Sequence, residues 1–271
     1  MKNSIIARFN SLSLEYGEFA ICHIGQHGFI LKLGETVIYI DPYLTPERAR
    51  LIAPFLTPED ITNAAIITGS HNHGDHIDLP AWPLIAASSP DACFVLPEAV
   101  RETVIRDTGI AGKRVFGLND GGSIELKGVK ISAVAAAHEL LDYDPVTRLY
   151  PYLGLVFEGN GVTVYHAGDC CIYEGLQTKL RKWQLDLALL PINGRDAKRL
   201  KNNCIGNMTY QEAADLAGVL KPGLTVPAHY DMFAMNSLKP KLFMDYMKIK
   251  YPHLKCVRPR PGTLFRRHKT N

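Results

Sequence analysis

Long hydrophobic runs are missing from this sequence. No stretch approaches the roughly 18 consecutive apolar residues of a membrane-spanning helix, so no such helix is expected. The start, MKNSIIARFNSLSLEYGEF, lacks both the continuous apolar segment and the small-residue cleavage site of a secretory signal, and none is read there. Paired cysteines are missing too: Cys22, Cys93, Cys170, Cys171, Cys204 and Cys256 include no CxxC spacing. Adjacent Cys170 and Cys171 suit neither an ordinary disulfide nor a zinc knuckle, so free thiols in a reducing cytoplasm are expected. Charge imbalance is small. A net charge of +3 does not argue for a nucleic-acid partner, and the basic tail RPRPGTLFRRHK (258–269) reads as a solvated terminus. No fixed repeat and no low-complexity segment is present, which excludes solenoids and arrays.

What remains is an ordinary globular composition on 271 residues, with no clear linker, so one domain spanning residues 1–271 is expected. The N-terminal part is rich in strand patterns. FAICHIG and GFILKL precede TVIYID, with Gly34-Glu35 as a hairpin turn. TPERARLIA reads as a helix, capped by Thr45 with Pro46 at its first position, and residues 97–109 form another that ends at a glycine. AAIIT (64–68), VKISAVAAAHE (129–139), the hairpin LGLVFEGNGVTVYHAGD, LDLALLPING and GLTVPAH read as further strands. Thr209 and Glu212 form a capping box for a helix through Gly218, and SLKPKLFMDYMKIK is a final helix before short strands near 255–258 and 263–267. The early hairpins argue against an all-parallel sheet and for two mostly antiparallel sheets covered by helices.

Polar, metal-seeking residues fall just past the ends of four of these strands. After AAIIT comes SHNHGDHID, with His71, His73, Asp75 and His76; the other strands end at His138, Asp169 and His229. Imidazole and carboxylate are the ligands of Zn²⁺, Fe²⁺ or Mn²⁺, and seven such groups exceed one tetrahedral ion but suit two. A carboxylate can bridge such a pair, which polarises water at near-neutral pH. A solvated, capped turn is the bland alternative for the nine-residue motif. His138 or His229 alone would more often be a core histidine.

The ordered elements HxHxDH in SHNHGDHID, then AAAHE, HAGD and PAHYD, resemble the metallo-β-lactamase fold superfamily over roughly residues 19–232. The resemblance implies an α+β, four-layer αββα sandwich of two mixed, mostly antiparallel sheets flanked by helices, with the metal site at one edge between the sheets. Carried over residue by residue, it implies that His71, His73 and His138 hold a first ion. Asp75, His76 and His229 would hold a second, with Asp169 bridging. IDPYLT, PINGRD, GNMT and PAHYDMF look like the branch that contains L-ascorbate-6-phosphate lactonase, some of whose members are associated with manganese and a single ion, so a divalent metal of one or two ions is expected.

Around this set, Asp41 is read either as a carboxylate orienting a ligand histidine or as a turn-starting residue before Pro42, and Asp78 either likewise or as a helix cap. Asn193, Arg195, Lys198 and Tyr230 are candidate substrate contacts. Arg195 suits an anionic group, and its alternative is a surface salt bridge to Asp196. His166 is read as structural; His23 and His27 flank a glycine-containing bend, where a role at the edge of the site is the less favoured reading. The function expected is a lactonase-like metal-dependent hydrolase in which metal-bound hydroxide attacks a lactone, ester or related bond of a small anionic, sugar-phosphate-like substrate. Asp75 or Asp169 would position the nucleophile and shuttle a proton.

Alternatives are a phosphodiesterase acting on nucleic acid, a cyclic nucleotide or a lipid, and a non-enzymatic metal-binding module. No insert suited to gripping a strand and no amphipathic entry for lipid is apparent, so neither nucleic acid nor membrane is expected as a partner. A homo-oligomer is compatible with the sequence.

Overall fold

A computed structural model describes residues 2–269, with side chains from Ile5 onward. The chain opens with helix α1 (Lys2–Ser11), followed by strands β1 (Glu18–Gly25), β2 (Gly28–Leu33), β3 (Thr36–Ile40) and β4 (Ile66–Thr68). Helix α2 (Trp82–Ser88), strand β5 (Cys93–Pro97), helix α3 (Arg101–Thr108) and strand β6 (Val115–Leu118) complete the first half. The second half runs β7 (Ser123–Leu126), β8 (Val129–Ala135), β9 (Leu153–Gly159), β10 (Val162–His166), α4 (Leu176–Leu180), β11 (Leu187–Pro191), α5 (Ala197–Lys201), α6 (Tyr210–Leu220), β12 (Thr225–Ala228) and α7 (Pro240–Lys250). A last strand, β13 (Phe265–His268), returns to pair with β1.

Two sheets result, ordered β13-β1-β2-β3-β4-β5-β6 and β12-β11-β10-β9-β8-β7. Pairing is antiparallel from β13 through β3 and from β7 through β10, and parallel from β3 through β6 and from β10 through β12, where helices or, between β3 and β4, a long irregular segment make the connection. The β2–β3 hairpin closes at Gly34-Glu35, with Leu33 opposite Thr36. Asn160-Gly161 closes β9–β10; both residues have positive φ, +51° and +70°, as a type I′ turn requires.

Strand alternation builds the layers. In β2, Phe29, Leu31 and Leu33 point into the core between the sheets, while Ile30 packs in the outer core with Ile5, Ile6 and Phe9 of α1. In β11, Leu187 and Leu189 face the inter-sheet core, while Ala188 and Leu190 pack with residues of α4, α6 and α7. Both faces of each sheet are therefore covered, which is why the strands read as near-continuous apolar runs. Each fully buried Leu, Ile or Phe contributes about 1.5–3 kcal/mol relative to exposure. Lys32 is the exception in β2: its buried Nζ donates to the carbonyls of Phe9 and Leu12 at 2.9 and 2.6 Å, satisfying the C-terminal end of α1. This is the four-layer αββα arrangement expected from the sequence.

One expected helix is absent. TPERARLIA (45–53) runs as turns and irregular backbone. Thr45 spends its amide and hydroxyl on Asp78, at 2.8 and 2.5 Å, rather than on a helix start. The Arg50 guanidinium takes the carbonyls of Tyr43, Thr45 and Ile52, and Leu51 N donates to Met232 O at 2.7 Å. Bonds to a distant segment outcompete the local cap. No helix among the described residues is long and apolar enough to cross a membrane.

Strand direction positions the site. Within the first sheet β1, β3 and β4 run the same way, and in the second so do β8, β10, β11 and β12. Their C-terminal ends therefore share one edge of each sheet. Bonds from His229 N to Gln26 O (2.7 Å) and from Leu153 N to Ser70 O (3.0 Å) stitch the two edges together.

Candidate metal centre

All seven residues proposed as ligands lie at that stitched edge. They form close groups: His71 with His73 and His138, and Asp75 with His76 and His229. In each group the donor atoms lie within 4.8 Å of one another. Asp169 lies between them, its Oδ2 3.5 Å from His138 Nε2 and 3.1 Å from His229 Nε2, its Oδ1 3.3 Å from His76 Nε2. Gly168 makes this possible: its φ is +59°, and a Cβ there would stand 2.5 Å from the Leu153 carbonyl oxygen.

Hydrogen bonds behind the rings decide which nitrogen faces inward. Asp41, fully buried, accepts from Ser70 N (3.0 Å), Ser70 Oγ (2.5 Å) and His76 Nδ1 (2.6 Å). Because the Ser70 hydroxyl proton goes to Asp41, His71 Nδ1–H donates to Ser70 Oγ at 3.0 Å. His138 Nδ1–H donates to Gly206 O at 3.1 Å. Each of these three rings is thereby left with an Nε2 lone pair aimed into the cluster. His71 Nε2 and His73 Nδ1 stand 2.9 Å apart. In the metal-free chain His73 Nδ1–H donates to the His71 Nε2 lone pair, the place a cation would take. The buried His76 Nε2 has no hydrogen-bond partner. These donors fit a divalent metal.

Electrostatics point the same way. Burial opposes a proton on His76, yet the nearby carboxylates of Asp169 and Asp75 and its hydrogen bond to Asp41 hold its pKa well above the ordinary range. His229 is raised too, burial being outweighed by Asp169. For Asp169, burial would raise the carboxyl, but His229 and His76 pull it well below the usual carboxylate value. His71 moves the other way, lowered by burial and then by His76, and so is neutral near pH 7. The cluster thus holds concentrated negative charge that takes up protons when no cation is bound.

Backbone strain concentrates at the same place. Gln26, Asp41 and His229 all sit in the left-handed region, with φ of +54°, +44° and +55°. Such positions cost roughly 1–3 kcal/mol each and persist where surrounding bonds over-determine them.

The remaining candidates divide. Asp41 is the carboxylate behind His76. Asp78 touches no ligand histidine; it accepts from Leu44 N, Thr45 N and Thr45 Oγ1, pinning the loop that follows Asp41. Arg195 is held not by Asp196 but by Glu212, in a bidentate pair at 2.6 and 2.7 Å, and it also donates to Asn207 O. It lines a cavity of about 140 Å³ with Glu139, Asp196, Leu200, Cys204 and Gly206, next to His138. Asn193 is buried between Asn236 and Asn207. Lys198 is exposed on α5. Tyr230 lines a different cavity of about 400 Å³ that includes Asp231, Lys239 and Arg258.

Three residues at the cluster fall outside the expected set. Ser70 orders two histidines. His27, for which a role at the edge of the site is the less favoured reading of the sequence, brings Nδ1 to 3.5 Å from Asp169 Oδ1 and forms a third donor group with His76 and Asp169. Burial lowers its pKa to about 3, so the ring is neutral. Gln26 Nε2 donates to Asp75 Oδ2 at 2.7 Å and lies 3.2 Å from His229 Nε2. The one local hint was GQHG, a polar pair between glycines at a strand end.

Helix-covered mixed sheets with a buried histidine–aspartate cluster at their joined edge define a metal-dependent hydrolase of the metallo-β-lactamase class. The family model described as "Beta-lactamase superfamily domain" matches residues 36–230, and the chain belongs to that superfamily. A "UPF0173 metal-dependent hydrolase" from Thermococcus onnurineus is 31% identical over 218 residues, covering 80% of this chain and 87% of the relative. One of the same description from Pyrococcus abyssi is 28% identical, covering 88% and 95%. Among solved structures, a metallo hydrolase from Ignicoccus hospitalis shares the fold at a TM-score of 0.71 and 23% identity, covering 93% of this chain and all (100%) of that one.

Proposed function

We propose that this chain hydrolyses a lactone, ester or related bond of a small anionic substrate, in the manner of a lactonase, with a sugar phosphate as the favoured substrate class. One observation carries the reading: Asp169 offers both oxygens between two groups of inward-facing donors, 3.5 Å from His138 Nε2, 3.1 Å from His229 Nε2 and 3.3 Å from His76 Nε2. His71, His73 and His138 would hold one ion, and Asp75, His76 and His229 the other, with Asp169 shared. Zn²⁺, Mn²⁺ and Fe²⁺ all accept such ligands. Bound there, the ions supply Lewis acidity toward the scissile group and lower the pKa of water.

The protein's own groups divide the remaining work. Asp75 is 21% exposed and Asp169 only 5%, so Asp75 stands at the mouth and Asp169 at the floor. Asp75 would take the proton released as water adds to the substrate and return it to the departing oxygen. Asp169 keeps its charge and holds the two halves in register. Arg195, which lines the cavity beside His138, would meet the anionic group by giving up Glu212, while Lys198 is exposed on α5 and does not line that cavity. The cavity of about 140 Å³ beside His138 suits a small substrate rather than a nucleic-acid strand or a lipid tail. Six free cysteines support a reducing, cytoplasmic setting.

The test couples metal analysis of purified protein to a panel of lactones, phosphomonoesters and phosphodiesters. Turnover confined to phosphodiesters would overturn the proposed reaction. His73→Ala and Asp169→Ala are each expected to lose metal and at least about 100-fold of turnover, while the chain stays folded. Full metal loading and turnover in either variant would refute the ligand assignment.

A further inference from the structure

The turn joining β1 and β2 reaches the cluster from the first sheet and is held with unusual care. Gly25 has φ +102° and Gln26 φ +54°. Gln26 N donates to Asp231 Oδ1 at 3.0 Å, Gln26 O accepts from His229 N at 2.7 Å, and His27 O accepts from His166 Nε2 at 2.9 Å. Three bonds to segments more than 130 residues away thus fix a strained backbone whose side chains enter the cluster. The fully buried Gln26 carboxamide lies 2.7 Å from Asp75 Oδ2 and 3.2 Å from His229 Nε2, the spacing of neighbouring atoms around one ion. Its Oε1 is buried with no hydrogen-bond partner. A glutamine placed only for structural hydrogen bonding would not leave its carbonyl bare in the interior, where that costs about 1–3 kcal/mol.

We propose that Gln26 is a further ligand of the second half-site, through its carbonyl oxygen, and that it makes the two half-sites unlike. With no cation present, the NH₂ end of the carboxamide faces the Asp75 carboxylate. A cation between Asp75 and His229 reverses the preference, and a half-turn about the terminal torsion brings Oε1 inward. Asp75, His76, His229, Asp169 and Gln26 then supply five donors, three of them oxygen-bearing groups. His71, His73, His138 and Asp169 supply four, three of them imidazole. Four donors suit tetrahedral Zn²⁺, whereas five oxygen-rich donors favour a harder ion of higher coordination number, such as Mn²⁺ or Fe²⁺. The inference rests on the two-ion reading above and deepens it.

The experiment is metal titration of the apo full chain with Zn²⁺ and Mn²⁺, read by elemental stoichiometry, together with the absorption spectrum of the Co²⁺-loaded protein. Wild type, Gln26→Ala and Gln26→Glu are compared, each first checked for an intact apo fold by thermal denaturation. Wild type is expected to bind two ions, Mn²⁺ preferentially at the second site, and the Co²⁺ spectrum to combine a strong four-coordinate band with a weak higher-coordinate one. Gln26→Ala should weaken the second ion alone by roughly tenfold to a hundredfold and change the weak band. Gln26→Glu keeps an oxygen donor and should retain two ions.

If Gln26→Glu loses the second ion as Gln26→Ala does, the residue is a donor to Asp75 and ligation is refuted. Two ions held unchanged by Gln26→Ala would refute it as well, while leaving the paired site standing. A wild type that binds a single ion would overturn the paired site itself, and this inference with it.

Discussion

The two halves of the cluster are made differently. His71 and His73 come from one short loop after β4, and only His138 arrives from elsewhere; all three are imidazoles, and His73 is partly exposed. The other half joins Asp75 and His76 from that loop to His229 after β12, with Asp41 behind His76 and Gln26 alongside Asp75. It is the more acidic half, whereas the first is a set of imidazole donors alone. The second is a charged assembly whose parts depend on one another even before a metal binds.

Removing one histidine from each half should expose this difference most strongly. His76→Ala leaves Asp41 as a buried charge without its imidazole partner, both groups being 0% exposed in the intact pair. Breaking a buried pair costs about 3–5 kcal/mol, toward the lower end here because Ser70 still donates twice to Asp41. His73→Ala, at the rim, should cost the apo protein less than about 1 kcal/mol while abolishing the first ion. Chemical denaturation of both apo variants checks this. Equal losses would mean the halves are energetically alike.

Asp41→Asn should have a smaller and more selective effect. The amide keeps the shape but no longer fixes the His76 tautomer by charge, so second-ion affinity should fall roughly tenfold to a hundredfold. The first ion should be weakened less, because Asp41 reaches His71 only through the Ser70 hydroxyl. Parallel metal titrations decide the matter, and equal weakening of both ions would place Asp41 outside the role drawn for it.

The mildest contrast is in pH dependence. His76 and His229 have raised pKa values in the metal-free chain, so an ion entering the second half must displace protons, and its affinity should climb as pH rises through neutrality. His71 and His73 are lowered, chiefly by burial, and already neutral, so first-half affinity should stay nearly flat from pH 7 upward. Calorimetry in buffers of different ionisation enthalpy would measure protons released per ion. The same shifts set apo stability. The raised His76 pKa contributes stability that is fully present below its ordinary value of about 6.5 and is lost as pH rises through the raised value.

Legibility in the sequence followed the same division. His71, His73, Asp75 and His76 are visible as a motif because one loop carries them, and His138, Asp169 and His229 because each follows an apolar strand. Ser70 is hidden by its ordinariness: a serine beside a histidine says nothing until Asp41 is seen 2.5 Å from its hydroxyl. Gln26 is hidden by distance, since His229 lies 203 positions away. Arg195 pointed to the right neighbourhood but to the wrong partner, because Glu212 becomes its neighbour only when the β11–α6 connection folds back. Helix α1 is likewise settled by packing, with Ile5, Ile6 and Phe9 covering the outer face of the first sheet.

The sequence alone determined the layer plan and the chemistry of the cluster, because alternation, capping boxes and ligand spacing are local properties of the backbone. It also determined that histidines and aspartates follow apolar strands, whereas the folded sheets brought those strand ends together. Only the tertiary structure decided which ring nitrogen faces inward, which carboxylate stands at the mouth, and which turn of the first sheet reaches the second half-site. Those depend on bonds between segments far apart in the chain, whose geometry exists only once the two sheets have packed.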